Sequence, residues 1–185
     1  MKKLLKLFSV FLILFLYGSL CFGETCTLDK IIDGDTIICS GEKIRLIGID
    51  APESFDNPKA RRDSKRTGQD LEAIFTMGKQ AKDTLEYILR LADNKVELEF
   101  DVQRKDKYGR TLAYVFLKDL SVDFEMWPPE LYLDAQQWVF VNAAMISSGF
   151  ASPMTIPPNV QYADLFNVLY REAQVVGRGL WHEQF

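Results

Sequence analysis

The sequence predicts an α+β fold in which short strands close into a small barrel and helices pack against it. Three observations carry that expectation. Five strand-like segments, rich in β-branched residues and broken by Asp-Gly, Ser-Gly and Tyr-Gly turn signals, lie between positions 25 and 117. One long run of helical periodicity interrupts them after the third. Beyond 117 the pattern turns to helices and loops.

The first 23 positions stand apart. Lys2, Lys3 and Lys6 form a charged start, 7–20 is almost wholly apolar, and Ser19 and Gly23 are small. This is the pattern of a secretory signal peptide cleaved after Gly23, leaving 24–185 as a single domain that is secreted or periplasmic. A retained membrane tether is the rival for the same segment. Its apolar run is shorter than the roughly 20 residues a span needs, and Leu20 is poorly suited to precede a lipoprotein Cys21.

Each later element has its own signal. Positions 25–32, 36–40 and 43–49 alternate like strands around the Asp33-Gly34 and Ser40-Gly41 turns. Positions 54–68 read as a polar loop carrying Lys59, Arg61, Arg62, Lys65 and Arg66. Leu71, Ile74, Phe75, Gly78, Ala81, Leu85, Ile88 and Leu89 then fall on one helical face. Strands resume at 96–102 and 111–117, joined through the Lys107-Tyr108-Gly109 turn. Positions 120–137, with Trp127-Pro128-Pro129 inside, have no period and read as an inserted loop. A short helix is expected over 139–147, an extended loop over the proline-bearing 152–159, and a last helix through Tyr162, Leu165, Phe166, Leu169, Ala173 and Val176, stopped by Gly177. Leu180 and Trp181 are expected to tuck back onto the core. Five short strands with about three packed helices suit the five-stranded OB-fold barrel, which closes the sheet and so removes exposed edges.

Composition narrows the function. Setting aside Lys2, Lys3 and Lys6 takes the net charge from −4 to −7. Such a protein has no global field for nucleic acid, so binding would rest on a local basic patch. His182 is the only histidine and lies near the end, which nearly excludes histidine catalysis and histidine metal sites. Cys26 and Cys39 remain once the first segment is removed, and in an oxidising compartment an even pair is a disulfide candidate. A simple hairpin would pair Cys39 near Lys30 rather than opposite Cys26, so the bridge would depend on strong barrel coiling to bring the Cα atoms within about 4.4–6.8 Å.

The chemistry-bearing residues are concentrated. Asp33-Gly34-Asp35-Thr36 is followed by Arg45 and then by Asp50-Ala51-Pro52-Glu53, placing four carboxylates and a guanidinium close together. Carboxylate oxygens are what a hard cation requires, and arginine's planar fork grips phosphate bidentately. A second arginine closes Asp106-Lys107-Tyr108-Gly109-Arg110. The set suggests metal-assisted chemistry on a phosphodiester.

Taken in order, Asp-Gly-Asp-Thr, Ile-Arg-Leu-x-Gly-Ile-Asp-Ala-Pro-Glu, Asp-Lys-Tyr-Gly-Arg and Glu-Ala-Gln-x-x-Gly-Arg-Gly-Leu-Trp resemble the staphylococcal nuclease (thermonuclease) family. The resemblance spans 27–181. It implies an OB barrel with packed helices, cleavage of DNA and RNA with one Ca²⁺ ion, no small-molecule cofactor, products with 3′-phosphates and a monomer. It further implies that Asp35, Asp50 and the backbone carbonyl of Ala51 ligate calcium, with Asp33 in the outer sphere. Glu53 would act as general base, Arg45 and Arg110 would bind the scissile phosphate, and Lys107 and Tyr108 would contact a neighbouring one. Ala51 stands where the family's best-known member has threonine, which a backbone ligand tolerates. Residues 153–159 lack the two base-stacking tyrosines of that member. The aromatic group of Phe124, Trp127, Tyr132 and Trp138 is expected to be a loop packed on the barrel, with a base-stacking platform that replaces the tyrosines as the rival. The rival reading is a catalytically silent OB-fold nucleic-acid-binding module in the cell envelope, which the retained acids and arginines argue against.

Overall fold

The computed structural model describes residues 23–90, 94–118, 132–133 and 138–182. Strands β1 (Glu24–Asp33), β2 (Thr36–Cys39) and β3 (Glu42–Leu46) form an antiparallel meander. After β4 (Gly48–Asp50) come helices α1 (Pro58–Thr67) and α2 (Leu71–Leu89), then strands β5 (Lys95–Glu99) and β6 (Thr111–Lys118). The remainder comprises β7 (Tyr132–Leu133), β8 (Trp138–Phe140), α3 (Val141–Ser147), β9 (Ser152–Met154), α4 (Ala163–Val176) and a 3₁₀ turn over Gly179–Trp181.

Barrel closure follows from the way β1 divides its pairing. Residues 24–27 pair with β5, while 28–33 pair with β2, with register shifts between Leu28 and Lys30 and between Ile31 and Asp33. Such irregularities bend a strand and strengthen its twist. β6 then pairs antiparallel with β5 and parallel with β3, closing five strands into an OB-type barrel. The same coiling places Cys26 opposite Val96 and Cys39 opposite Leu28, yet their Cα atoms lie 5.8 Å apart and their sulfurs are bonded.

Ile37, Ile44, Leu46, Val115 and Leu117 fill the barrel beside Leu85, Ile88 and Leu89 of α2. A second layer packs Tyr114, Phe116 and Phe140 against Tyr162 and Phe166, with ring centroids 4.5–6.4 Å apart. Buried Asn142 ties α3 to the barrel by donating to the Ile47 carbonyl (2.8 Å) and accepting from the Val115 amide (2.9 Å). Ile47 lies where the expected 43–49 strand breaks into β3 and β4. The break redirects the chain, so that β4 pairs with β9 rather than continuing the barrel.

Four helices are present among the described residues rather than about three. The extra one, α1, replaces most of the expected 54–68 loop. It buries only Ala60, so it has no apolar stripe to announce it. Its ends form it instead: Asn57 caps the Lys59 and Ala60 amides, Pro58 starts it, and Gly68 ends it in the left-handed region. The expected 139–147 helix begins at Val141, after strand β8, and the expected 152–159 loop contains β9. Trp181 packs edge-on against Tyr170, with centroids 5.4 Å apart. The expectations for 1–22, for most of 120–137 and for Phe124 and Trp127 lie outside the described residues, as does the side chain of Tyr132. Among the described residues, no helix is long and apolar enough to cross a membrane.

Candidate active site

The β1–β2 turn, the end of β4 and the start of α1 converge under helix α2. That helix approaches closely because its facing residues are small. A Cβ built at Gly78 would meet the carbonyl of Glu53, and one at Gly34 would lie 2.7 Å from the Ala51 side chain and 2.8 Å from that of Ala81. Backbone therefore packs on backbone here, and the 51–54 segment has little room to shift.

Within this corner Asp35 is 5% exposed and fully engaged. Its Oδ1 accepts from the Thr36 hydroxyl (2.8 Å), while Oδ2 accepts from the Ala51 amide (3.0 Å) and pairs with Arg45 Nη2 (3.0 Å). Arg45 also reaches Asp50 Oδ1 (3.3 Å) and donates from Nη1 to the Leu46 carbonyl (3.1 Å). Burial would push the Asp35 carboxyl up. The Arg45 guanidinium and the Ala51 amide outweigh it and hold it below the ordinary range. The next acids go the other way. Burial and the neighbouring Asp35 charge push Asp33 up to about 7, and burial raises Asp50 despite the opposing Lys59 charge.

Lys59, in the first turn of α1, completes the cluster. Its Nζ donates to the Ala51 carbonyl at 2.7 Å and lies 2.9 Å from Glu53 Oε1 and 3.2 Å from Asp50 Oδ1. Asn57, besides capping α1, donates from Nδ2 to Glu53 Oε2 at 2.6 Å. Burial would lower the Lys59 pKa, but the Asp50 and Glu53 charges raise it. The sequence places Lys59 in a basic loop that is either solvated or steers nucleic acid, and it does not single out Asn57. The available signal was Asn57-Pro58, a helix start five residues after Glu53.

The second arginine stands on a turn organised by Asp106. That carboxylate accepts from the Tyr108 amide (2.8 Å) and the Arg110 amide (3.0 Å), and pairs with Arg110 Nε (2.7 Å). Lys107 Nζ and the Arg110 guanidinium sit 5.1 and 5.6 Å from the ring centroid of Tyr108, which is 73% exposed. Arg45, Arg110, Lys107 and Tyr108 line one cleft of about 350 Å³, with Met154 and Ile156 on its apolar side. Arg45 is the link: it lines the cleft and also holds the carboxylate cluster.

A model of the "Staphylococcal nuclease homologue" family matches residues 43–183. The thermonuclease of Staphylococcus intermedius is 32% identical over 163 residues, spanning 86% of this chain and 77% of that protein. The thermonuclease of Staphylococcus hyicus is 30% identical over 162 residues, spanning 85% of this chain and 76% of that protein. Endonuclease YncB of Bacillus subtilis strain 168 is 30% identical over 161 residues, covering 84% of this chain and 60% of its own.

The chain belongs to the staphylococcal nuclease family.

Within that family frame two features of this member stand out. Met154 and Ile156 hold the cleft wall between β9 and the loop after it, and Ile156 is 59% exposed. Of the candidate replacement aromatics, Trp138 packs half-buried against the core. For a cation, the donor chemistry fits. Asp50 Oδ1, the Ala51 carbonyl and Glu53 Oε1, all hard oxygens, converge on the Lys59 ammonium at 3.2, 2.7 and 2.9 Å, so a positive charge already sits among them. Among the described residues, no group of three or more His, Cys, Asp or Glu side chains is arranged to hold a metal by itself. The physical reason is visible: Asp35 is turned to Arg45, and one converging oxygen belongs to the backbone of Ala51.

Proposed function

We propose that the protein is an exported nuclease hydrolysing phosphodiester bonds of DNA and/or RNA with one Ca²⁺ ion, leaving 3′-phosphates and working as a monomer. In this reading residues 1–23 are a signal peptide and 24–185 one nuclease-like domain. The observation that carries the chemistry is Arg45, which lines a cleft that also holds Arg110 and pairs with Asp35 and Asp50, Glu53 being joined to Asp50 through Lys59.

Asp35, Asp50 and the Ala51 carbonyl would hold the calcium ion, with Asp33 in its outer sphere. The ion would supply Lewis-acid polarisation of a phosphoryl oxygen and offset the repulsion among the acids. Arg45 and Arg110 grip the scissile phosphate and stabilise the charge that grows on it in the transition state. Both are held before substrate arrives, Arg45 by Asp35 and Asp50, and Arg110 by Asp106, so little reorganisation is needed. Glu53 orients a water and takes its proton as the oxygen attacks phosphorus. The P–O5′ bond breaks, the 5′ oxygen takes a proton from solvent water as it leaves, and the phosphate stays on the 3′ side. Lys107 and Tyr108 receive a neighbouring phosphate. Met154 and Ile156 give the base an apolar wall rather than a stacking ring, which predicts weak base preference.

Digestion of single-stranded DNA, duplex DNA and RNA by the purified protein, in Ca²⁺ and in excess chelator, tests this reading. Cleavage that requires Ca²⁺ and leaves 3′-phosphate ends supports it. Full activity in chelator overturns the metal assignment, and binding with no cleavage under any divalent ion favours the silent module.

A further inference from the structure

Lys59 is the member of the carboxylate cluster to which the chemistry above gives no task. Its ammonium lies among three oxygens, the Ala51 carbonyl, Glu53 Oε1 and Asp50 Oδ1. Two of them belong to residues assigned to the cation. A divalent ion draws oxygens in to about 2.3–2.6 Å, so it and the ammonium compete for the same oxygens. The lysine is also presented rather than free. Asn57 Oδ1 caps its backbone amide at 2.8 Å, and Asn57 Nδ2 donates to Glu53, tying the first turn of α1 to the acid cluster.

We infer that Lys59 is a built-in competitor for the divalent cation and sets the affinity of the site. This rests on the reading that a cation binds at Asp50 and Ala51. The tethered ammonium neutralises the cluster until a divalent ion displaces it. Displacement frees Glu53 Oε1 from its ion pair and sends a positive charge outward on α1, towards the exposed Arg62 and Lys65. The cost of evicting Lys59 is subtracted from metal affinity. Metal loading and release of Glu53 are therefore one event.

The experiment is calorimetric titration of CaCl₂ into the native protein and into Lys59→Met, without nucleic acid. Removing the competitor tightens Ca²⁺ binding about 5–150-fold, the usual range of coupling between two sites. In chelator the variant melts below the native protein, and it regains the difference in Ca²⁺. A second measurement needs no variant: reductive methylation of Lys59, followed by mass spectrometry, accelerates when the native protein is saturated with Ca²⁺. If the native protein binds Ca²⁺ while Lys59→Met binds it no more tightly, or if Ca²⁺ leaves Lys59 labelling unchanged, the competition is wrong and the metal reading survives. If neither protein takes up Ca²⁺ and native cleavage persists in chelator, the metal reading falls and takes this inference with it.

Discussion

Replacing Gly78 by alanine tests how the site is held, because two effects of opposite sign meet at that position. Gly78 lies inside α2, where alanine is favoured over glycine by about 1 kcal/mol. Solvent around the position would therefore make Gly78→Ala stabilising. Instead the new Cβ would meet the Glu53 carbonyl and lie 2.5 Å from the Ser54 amide nitrogen. Ordinary contact is about 3.5–4.0 Å, so helix and loop must part by about 1 Å. Overpacking of this kind costs about 1–3 kcal/mol, which leaves a net loss of up to about 2 kcal/mol and a fall in Tm of up to about 8 °C for a domain of this size. Function suffers more than stability. The displaced backbone carries Glu53, and a misplacement of about 1 Å costs around 10² in rate. Steady-state cleavage assays should show kcat falling about a hundredfold, with folded protein confirmed by circular dichroism. A variant that melts higher than the native protein and keeps its kcat would refute the packing of α2 on the Glu53 backbone.

Other outcomes follow from individual contacts. Arg110→Ala should lower kcat by about 10²–10³, the usual loss for one transition-state donor. Its partly exposed pair with Asp106 should be worth under about 1 kcal/mol in the melt. Asp33, raised to about 7, binds a proton in the folded state that the unfolded chain releases near its ordinary 3.8. Its contribution is therefore full below 3.8 and is lost as pH rises through about 7, so in chelator native stability declines across that window and Asp33→Asn flattens the decline. A thiol count on denatured, unreduced 24–185 should find none. Two free thiols would contradict the Cys26–Cys39 bridge.

What the sequence disclosed, and what it did not, has a physical pattern. The barrel strands were legible because β-branched alternation and Asp-Gly turns are local signals, and α2 because its buried face repeats at helical spacing. Helix α1 was not, since it buries one side chain and is defined by its caps. β9 was hidden by Pro153, Pro157 and Pro158, although Pro153 pairs opposite Ile49 in a short two-stranded edge. At the site, Asp35, Arg45, Asp50 and Glu53 were singled out through motif order, and the fold brings them together. Lys59 was not singled out because its contacts with Glu53 and Asp50 depend on a helix start folding back over Glu53, which no periodicity records. The bridge between Cys26 and Cys39 was foreseeable only as a possibility of coiling, and the two irregularities in β1 supply that coiling.

In the proposed reading Arg45, Arg110 and the acids beside them form a working hydrolytic centre. Single-turnover cleavage by Glu53→Gln, with substrate binding measured on the same preparation, tests it most directly. The substitution keeps the shape of a side chain that is 13% exposed and leaves the arginines in place. The cleavage rate constant should fall about 10²–10⁴-fold, the usual contribution of a positioned base, while binding and Tm stay near native. A rate constant unchanged from the native protein, with binding intact, would contradict it.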